Sequence, residues 1–500
     1  MLPFCVKAQE GDIVRRGCLP EPTGDGSALT RGGQRKLPAI KTNWDPQRIY
    51  RQAVILVAFA DRDFTLENPR ELYGRIFNEP GYNIGAGAGC VADYFREQSG
   101  GLFNVEFDIY GPVKVSKNAK ENGDYGGPTF HDAAQKAIDS LAVDFSPYDW
   151  NNDGRVEQVI FIYAGYGGNQ SAEAADSCIW PNTSMFSAVN TPQGKSIYNY
   201  TCSAELWTHN KSCGIGTICH EFSHSLGLPD LYPTVETSGF SVVDEWDLMD
   251  GGNFINSGWC PPNYSGLERM LLGWQTPIEL MESTTITDMK PLSEGGPVYM
   301  IKHTDSEYYL LENRQWTGWD ARVPGKGLVV FHVDFSSSAW SGNRVNNKVN
   351  QRGYQLVHAD SLDYDAWKDI IGKANPYVNG HSRLLSTSPY PWTTDSTDFV
   401  NDCLTDTSAP PSLMFNGNAA GSKFLSKAIT NIRVSEDGLV SFDFMGGDPN
   451  MVDDRRWLNA NSEQIIAIYD LSGLQVTSQR PGRIYIVRYA DGKTKKVVKR

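Results

Sequence analysis

The hydrophobic and polar positions follow two periods in the first half of this chain. Ala53 to Phe59 and Val159 to Ala164 are continuous apolar runs with the length of a buried strand. Gly89 to Gln98 and His131 to Val143 instead place apolar residues at helical spacing. This pattern predicts a mixture of helices and strands, with a sheet that backs two helices.

After about residue 275 the helical spacing fades. Short alternating runs follow at Tyr308 to Leu311, Leu328 to Val333 and Leu439 to Phe444, separated by glycine-rich turns, and they predict a β-rich domain. Within it, Asn375 to Asn418 is rich in Pro, Ser, Thr and Asn and is interpreted as a long loop. We divide the chain into a leader (1–45), a catalytic domain (46–275), a β-rich domain (276–445), a linker (446–463) and a small C-terminal β module (464–500).

One segment indicates a reaction directly. His220 to Asp230 reads HEFSHSLGLPD, which contains the pattern HExxH. On a helix, residues i and i+4 share one face, so His220 and His224 can present two imidazoles to one metal ion. Glu221 lies beside them, where a carboxylate can take a proton from a metal-bound water. The segment therefore predicts a zinc-dependent hydrolase.

A third zinc ligand is expected from the residues after this helix. Gly227 can adopt the left-handed conformation that ends a helix, and Pro229 cannot continue one. The turn would bring Asp230 back to the metal by the shortest path, so we predict Asp230 as the third ligand. Glu268, farther along the chain, is the alternative.

A glycine-rich turn around a lone methionine follows at Trp246 to Gly252, and it places Met249 where the floor of a metal site would be. A buried methionine in a turn is also ordinary core packing. Tyr264, beyond this turn, could donate to a developing oxyanion, although the alternative is an ordinary surface tyrosine.

A second cation site is predicted at residues 149–157, which read DWNNDGRVE. Alternate oxygen side chains and a glycine at the sharp turn are typical of a calcium loop of the EF-hand type. The twelfth position of the full pattern falls on Ile160 rather than Glu, and the alternative is an Asx-rich turn before a strand. The candidate calcium ligands are Asp149, Asn151, Asp153, Glu157 and the carbonyl of Arg155.

These motifs together resemble a known family. HEFSHSLGLPDLY, EWDLMDGG and SGLERMLLGW, with the earlier VADYFREQSGGLFNVEFDIYGPV and the later EYYLLENRQWTGWD, are similar to the immune inhibitor A-type secreted metallopeptidases of bacteria. The resemblance covers residues 46 to 445. It implies zinc peptidase activity and an α+β, metzincin-like catalytic domain, followed by the β-rich domain.

The end of the chain carries a second resemblance. Ile465 to Gly473 and Gly482 to Lys493 are short strand-like segments that end in turns, and the chain closes on KTKKVVKR. The pattern is similar to C-terminal sorting domains of the type IX secretion route. A charged, solvated strand end is the alternative interpretation of the lysines. The resemblance implies that the chain interacts with secretion machinery and that the protein is secreted or held at the cell surface.

Composition excludes some classes of partner. The chain has 45 basic and 59 acidic residues, a net charge of −14, which disfavours binding to nucleic acid or anionic membranes. No apolar run approaches the roughly 20 residues of a membrane helix. The first residues also lack the basic start and apolar length of a signal peptide.

Nine cysteines leave the redox state open. Cys202, Cys213, Cys219 and Cys260 bracket the HExxH segment and could form disulfides, while the alternative is a set of small buried thiols. In the leader, Cys18 faintly resembles a propeptide thiol that blocks an open zinc position, and an unstructured leader is the alternative.

The sequence thus predicts a secreted zinc endopeptidase that acts on polypeptides, with Zn²⁺ for catalysis and Ca²⁺ for structure. Two other classes stay open. One is an inactive, zinc-stabilised binding or adhesion protein, and the other is a zinc hydrolase that acts on bonds other than peptides.

Overall fold

The computed structural model describes residues 37–122, 126–168, 179–207, 209–235, 242–362, 385–393 and 400–447, and three strands between residues 465 and 498. Cys5, Cys18, Cys178 and most of the predicted leader and linker lie outside the described residues. No described helix combines the length and the apolar character needed to cross a membrane.

The catalytic part of the chain alternates helices and strands. In chain order these are β1 (Ile49–Ala58), α1 (Pro69–Asn78), α2 (Val91–Gln98), β2 (Asn104–Lys114), α3 (Gly127–Leu141), β3 (Val159–Tyr166), β4 (Asn182–Asn190), β5 (Ser196–Leu206), α4 (Gly216–Ser225) and α5 (Gly266–Leu271). The strands predicted at residues 53–59 and 159–164 are present as β1 and β3. The helix expected from His131 begins earlier, because a left-handed Gly126 and a proline in the first turn start α3 at Gly127.

The five strands form one mixed sheet in the order β2-β1-β3-β5-β4. All neighbours are parallel except the antiparallel edge pair β4–β5. Successive side chains of β1 point to opposite faces, so Leu56 joins the cluster that contains Phe222 of α4, and Ile55 joins the cluster that contains Ala133 of α3. Helices cover both faces, which explains why β1 reads as a continuous apolar run.

A β-rich region follows residue 275, and the domain boundary placed there stays a prediction. Its elements are β6 (Ile278–Glu279), β7 (Thr284–Met289), β8 (Tyr299–Lys302), β9 (Glu307–Arg314), β10 (Gly327–Asp334), α6 (Ser337–Ser341), β11 (Tyr354–Leu356), β12 (Trp392–Thr393), β13 (Val400–Asn401), β14 (Ile429–Val434) and β15 (Val440–Phe444). They form the sheets β11-β10-β9-β8-β6 and β14-β15-β7, and the pair β12-β13.

Strand β9 joins the two domains through its two faces. Leu310 packs in the same cluster as Phe222 of the catalytic domain, whereas Leu311 belongs to the separate core of the β-rich domain. At its end, the fully buried Arg314 pairs with Glu312 at 3.1 Å and with Asp320 at 2.7 Å. Arg314 also donates to the carbonyl oxygen of Trp246 at 3.3 Å. The two domains therefore share one apolar core and a buried polar contact.

The described end of the leader packs on the catalytic domain. The Lys41 N–H donates to the carbonyl of Leu226 at the end of α4 (3.0 Å), and the indole of Trp44 donates to the carbonyl of Leu272 (2.6 Å). The far end of the chain forms a separate antiparallel sheet of β16 (Ile465–Tyr469), β17 (Ile484–Tyr489) and β18 (Thr494–Val498).

Candidate metal centre

Helix α4 presents two histidines with fixed ring orientation. Nδ1 of His220 lies 2.8 Å from the carbonyl oxygen of Leu248, and Nδ1 of His224 lies 2.8 Å from that of Leu228. A carbonyl can only accept, so each Nδ1 carries a hydrogen and each Nε2 is left to bind a proton or a metal ion. Such backbone partners fix the tautomer of metal-binding histidines.

Asp230 faces both free nitrogens. Helix α4 ends at Ser225, and Gly227 follows with φ +100°, in the left-handed region predicted for it. The chain then turns back, and Oδ1 of Asp230 lies 3.1 Å from Nε2 of His220 and 3.3 Å from Nε2 of His224. Among the described residues, this is the group of three His, Cys, Asp or Glu side chains whose ligand atoms all lie within 4.8 Å of one another.

The electrostatics of this group call for positive charge. All three side chains are buried, which by itself would lower the pKa of His220, yet the Asp230 carboxylate beside it raises that pKa to about 9. Burial would likewise raise the pKa of Asp230, but the two imidazoles hold it well below its usual range. Two nitrogens and one carboxylate oxygen are the donor set of a three-ligand catalytic zinc site, so the residues fit this metal.

Glu221 has one carboxylate oxygen in use and one without a partner. Oε2 lies 2.8 Å from the hydroxyl of Thr183 on β4, which also lies 2.6 Å from the carbonyl oxygen of Glu221. Oε1 is buried and has no protein hydrogen-bond partner. A buried acceptor without a partner costs free energy, so this oxygen suits a polar group that is brought to the site, such as a water molecule.

The methionine turn connects the two arms of the site. Met249 is fully buried in a turn, where its N–H donates to Oδ1 of Asp247 (2.8 Å) and its carbonyl accepts from Leu231 (2.8 Å). The preceding carbonyl, of Leu248, is the partner of His220. The turn thus binds both the helix with the histidines and the loop that carries Asp230.

Glu268 and Tyr264 lie outside the His220, His224 and Asp230 group. Glu268 caps α5, where its Oε2 accepts from the Ser265 N–H (2.8 Å) and hydroxyl (3.1 Å). Burial raises its pKa well above the usual value, with a further increase from nearby Asp247. Tyr264 is not the ordinary surface tyrosine given as the alternative. It is fully buried, and its hydroxyl pairs with that of Ser223.

The predicted calcium loop is closed by its own backbone. Oδ1 of Asp149 accepts from the N–H of Asp153 (3.1 Å), and Oδ2 accepts from Gly154 (2.9 Å). Oδ1 of Asn151 accepts from Asp153 (3.0 Å), and Oδ1 of Asp153 accepts from the N–H of Arg155 (2.9 Å). These contacts are those of an Asx-rich turn, the alternative interpretation of this segment.

Two lysines neutralise the buried carboxylates of that loop. The Lys195 ammonium lies 2.7 Å from Oδ2 of Asp149, and the Lys41 ammonium lies 3.3 Å from Oε1 of Glu157. Burial raises the pKa of Glu157 and lowers that of Lys41, against the attraction between them. The calcium site stays a prediction, and a bound cation would have to compete with these ammonium groups.

The cysteines near the metal site form no disulfide with one another. Cys202, Cys213, Cys219 and Cys260 were candidates for such pairs, and no two of them are bonded. These four side chains are buried, in agreement with the alternative of small apolar core residues.

Two contacts of the site were not anticipated from the sequence. Thr183 reaches Glu221 from β4, and Asn343 of the β-rich domain bonds Asp230 twice, through the Asp230 N–H to Oδ1 (2.7 Å) and from Nδ2 to Asp230 Oδ2 (2.6 Å). Both residues are far from the motif along the chain and sit in no pattern of their own.

Comparison with known proteins agrees with this geometry. Residues 60–270 match the family model described as "Immune inhibitor A peptidase M6, catalytic domain". This segment, which carries the two histidines, is similar to the catalytic domain of that family. The chain is similar to Immune inhibitor A of Bacillus thuringiensis subsp. alesti, with 26% identity in an alignment of length 266 that covers 42% of this chain and 38% of the relative. It is also similar to the pre-pro-metalloprotease PrtV of Vibrio cholerae serotype O1 (strain M66-2), with 24% identity in an alignment of length 254 that covers 42% of this chain and 28% of the relative.

The predicted family resemblance is therefore confirmed for the catalytic segment, and with it the predicted enzyme class of that domain, a metalloendopeptidase. The matched part covers well under half of either relative. The activity of the whole chain and the sorting role of its C-terminal sheet remain proposals.

Proposed function

We propose that this protein is a secreted zinc endopeptidase in which His220, His224 and Asp230 hold Zn²⁺ and Glu221 is the general base. The observation that carries the proposal is that two Nε2 atoms and one carboxylate oxygen lie within 4.8 Å of one another. Glu221, the residue after His220 on the helix, has a buried carboxylate oxygen without a hydrogen-bond partner. Zinc bound there would lower the pKa of a water molecule toward ~7 and polarise a peptide carbonyl.

The chain's own groups would supply the proton transfers. Oε1 of Glu221 takes a proton from the attacking water and then delivers it to the leaving amine, so that the peptide bond breaks without free charge on either fragment. The Thr183 hydroxyl shares its single hydrogen between Oε2 and the carbonyl oxygen of Glu221, and it leaves Oε1 to the reacting groups. The Met249 turn fixes the orientation of the His220 ring through the Leu248 carbonyl.

The edge strand β4 favours a polypeptide substrate. Among the described strands its one neighbour in the sheet is β5, and its residue Thr183 contacts the proposed general base. An extended peptide could add to this edge through main-chain hydrogen bonds, which would lay a peptide bond beside Glu221. Peptides that are N-methylated on the backbone should then show a higher KM than their unmodified counterparts.

Replacement of Glu221 tests the assignment. We expect Glu221→Gln to retain one zinc per chain but to lower the rate of casein hydrolysis by about 10²- to 10⁴-fold, the contribution of a positioned acid–base group. Hydrolysis at the wild-type rate would overturn the role of Glu221. A chelator-sensitive assay on denatured protein and on a small ester separates a peptidase from another zinc hydrolase, and metal-dependent stability without turnover would indicate a binding protein.

We also propose a structural Ca²⁺ at the loop of residues 149–157. The proposal is supported by the order of its oxygen side chains and requires Lys195 to leave Asp149. Calcium should raise the melting temperature of Lys195→Met more than that of the wild type, because the variant removes the competing ammonium. If calcium shifts neither protein, the loop is an Asx-rich turn closed by lysines.

Export through the C-terminal module completes the proposal. The proposal is supported by the sequence there, which resembles type IX sorting domains; the strands β16, β17 and β18 pair as one antiparallel sheet. Removal of residues 446–500 should leave the enzyme inside the producing cell. Equal release of the truncated and full-length chains into the medium would contradict this role.

A further inference from the structure

We infer that Asn343, in the β-rich domain, is a positioning residue of the metal centre that aims the Asp230 carboxylate at the two histidines. The inference deepens the proposed zinc site and rests on it. It also assigns to the β-rich domain a part in metal binding, although Asn343 lies beyond the segment that matches the peptidase family.

The two oxygens of Asp230 have separate partners. Oδ1 faces Nε2 of His220 and of His224, at 3.1 and 3.3 Å, whereas Oδ2 accepts from Nδ2 of Asn343 at 2.6 Å. The Asn343 Oδ1 in turn accepts from the N–H of Asp230 at 2.7 Å. One amide side chain thus fixes both the backbone and the carboxylate of the same residue, and rotation of that carboxylate would break a hydrogen bond.

This contact is buried and rigid. Asp230 is 3% exposed and Asn343 is 6% exposed, so water cannot readily replace the amide. Asn343 follows helix α6 with φ +51°, a left-handed conformation that asparagine tolerates better than most residues. The local fold therefore favours Asn or Gly at this position, and only Asn supplies the donor and the acceptor.

Neighbouring asparagines hold the rest of the ligand loop. Nδ2 of Asn346 donates to the carbonyl of Leu231 (2.7 Å), and Oδ1 of Asn347 accepts from the N–H of Thr234 (2.8 Å). Since the Leu231 N–H already donates to Met249, the loop is fastened on one side by the methionine turn and on the other by the β-rich domain.

The outer partners of a metal ligand tune its affinity. Loss of such a partner typically weakens metal binding by about 10- to 100-fold, because the ligand must then be ordered by the metal itself. Asn343 should act in this way on Asp230. Asn347, which bonds Thr234 and touches no ligand, should not.

Asn343→Gly is the sharpest test, because glycine keeps the left-handed backbone while removing both hydrogen bonds. We expect the Kd for Zn²⁺, measured by competition with a chelator, to rise about 10- to 100-fold in this variant. Asn347→Ala is the matched control and should stay close to the wild-type Kd. The absorption bands of the Co²⁺-substituted enzyme should change in Asn343→Gly, since they report the ligand geometry, which a purely structural role would leave intact.

A second variant guards against a loss of folding. Asn343→Ser adds no charge beside Asp230 and leaves a side chain too short to bond both the N–H and Oδ2 of Asp230. It should also weaken zinc binding, and a cooperative melting transition of the metal-free variant would show that it folds. Wild-type Kd and Co²⁺ bands in both Asn343 variants would overturn the inference and leave the proposed function standing. Failure of the wild type itself to bind one zinc would instead overturn the proposed function.

Discussion

Gly227 offers the most direct test of how the leader meets the catalytic helix. Its φ is +100°, and a Cβ built there would lie 2.6 Å from Cα and 2.8 Å from N of Ile40, and 3.1 Å from the carbonyl carbon of Ala39. These are backbone atoms, which cannot rotate away. The Lys41 N–H, bonded to the Leu226 carbonyl, prevents the segment from simply shifting outward.

The expected cost of Gly227→Ala has two parts. The left-handed backbone costs an L-residue about 1–2 kcal/mol, and forcing a methyl group into packed atoms costs about 1–3 kcal/mol. We therefore expect the free energy of unfolding to fall by roughly 2–5 kcal/mol, the sum of these two ranges.

Gly194 is the matched control. It lies between β4 and β5 with φ +73°, and its added Cβ would meet no atom within 4 Å. Gly194→Ala should therefore pay the backbone cost alone, about 1–2 kcal/mol. Urea denaturation followed by tryptophan fluorescence would measure both variants, with equal m-values as the check that the same surface unfolds.

A chain that begins at residue 46 separates packing from backbone strain. Without Ala39 and Ile40, Gly227→Ala should lose no more free energy of unfolding than Gly194→Ala. If the two alanine variants are equally stable in the full chain as well, residues 37–44 do not pack on this turn. The end of the leader would then not constrain the turn after the catalytic helix.

Three further predictions concern the site and the β-rich domain. Asp230→Asn should lose bound zinc whereas Glu268→Gln should retain it, as measured by metal analysis after dialysis; the opposite result would make Glu268 the third ligand. Thr183→Val keeps the side-chain shape but removes the hydroxyl beside Oε2 of Glu221. The kcat should therefore fall about tenfold, the equivalent of one hydrogen bond of about 1.4 kcal/mol, with zinc content unchanged. An unaltered kcat would contradict the role of Thr183. Burial would raise the pKa of Glu307, but its hydrogen bonds to His332 and two backbone N–H groups hold the pKa below the usual 4.5. The stability that it contributes is present above pH 4.5 and lost as the pH falls below that value, so wild type and Glu307→Gln should converge in melting temperature in acid; a constant difference down to pH 2 would count against this.

Much of the catalytic domain could be predicted because its signals are local. The apolar run of β1 is buried on both faces, and the HExxH spacing places two histidines on one side of α4 whatever surrounds them. Gly227 adopts the left-handed conformation that its position after the helix predicted. In the structure Asp230, and not Glu268, has a ligand atom close to those of the two histidines.

The cation at the 149–157 loop and the pairing of the cysteines depend on residues that are distant along the chain. The loop at residues 149–157 has the order of a calcium loop, but which cation neutralises Asp149 depends on Lys195, which arrives from the turn between β4 and β5. Cys202, Cys213, Cys219 and Cys260 flank α4 in the sequence, yet they are buried without a disulfide between any two of them. Spacing along the chain cannot decide either case, because both depend on distances across the fold.

The sequence by itself determined the proposed chemistry: two imidazoles, the carboxylate proposed as the base and a turn that returns Asp230 all lie within eleven consecutive residues. Helix geometry sets the relation between the first three of these groups. Only the tertiary structure decided how these groups are held. Thr183 comes from the edge of the sheet and Asn343 from another domain, and each contacts the site because the domains share a core. Hydrogen bonds between residues so far apart in sequence have no local pattern, since their geometry exists only after the chain has folded.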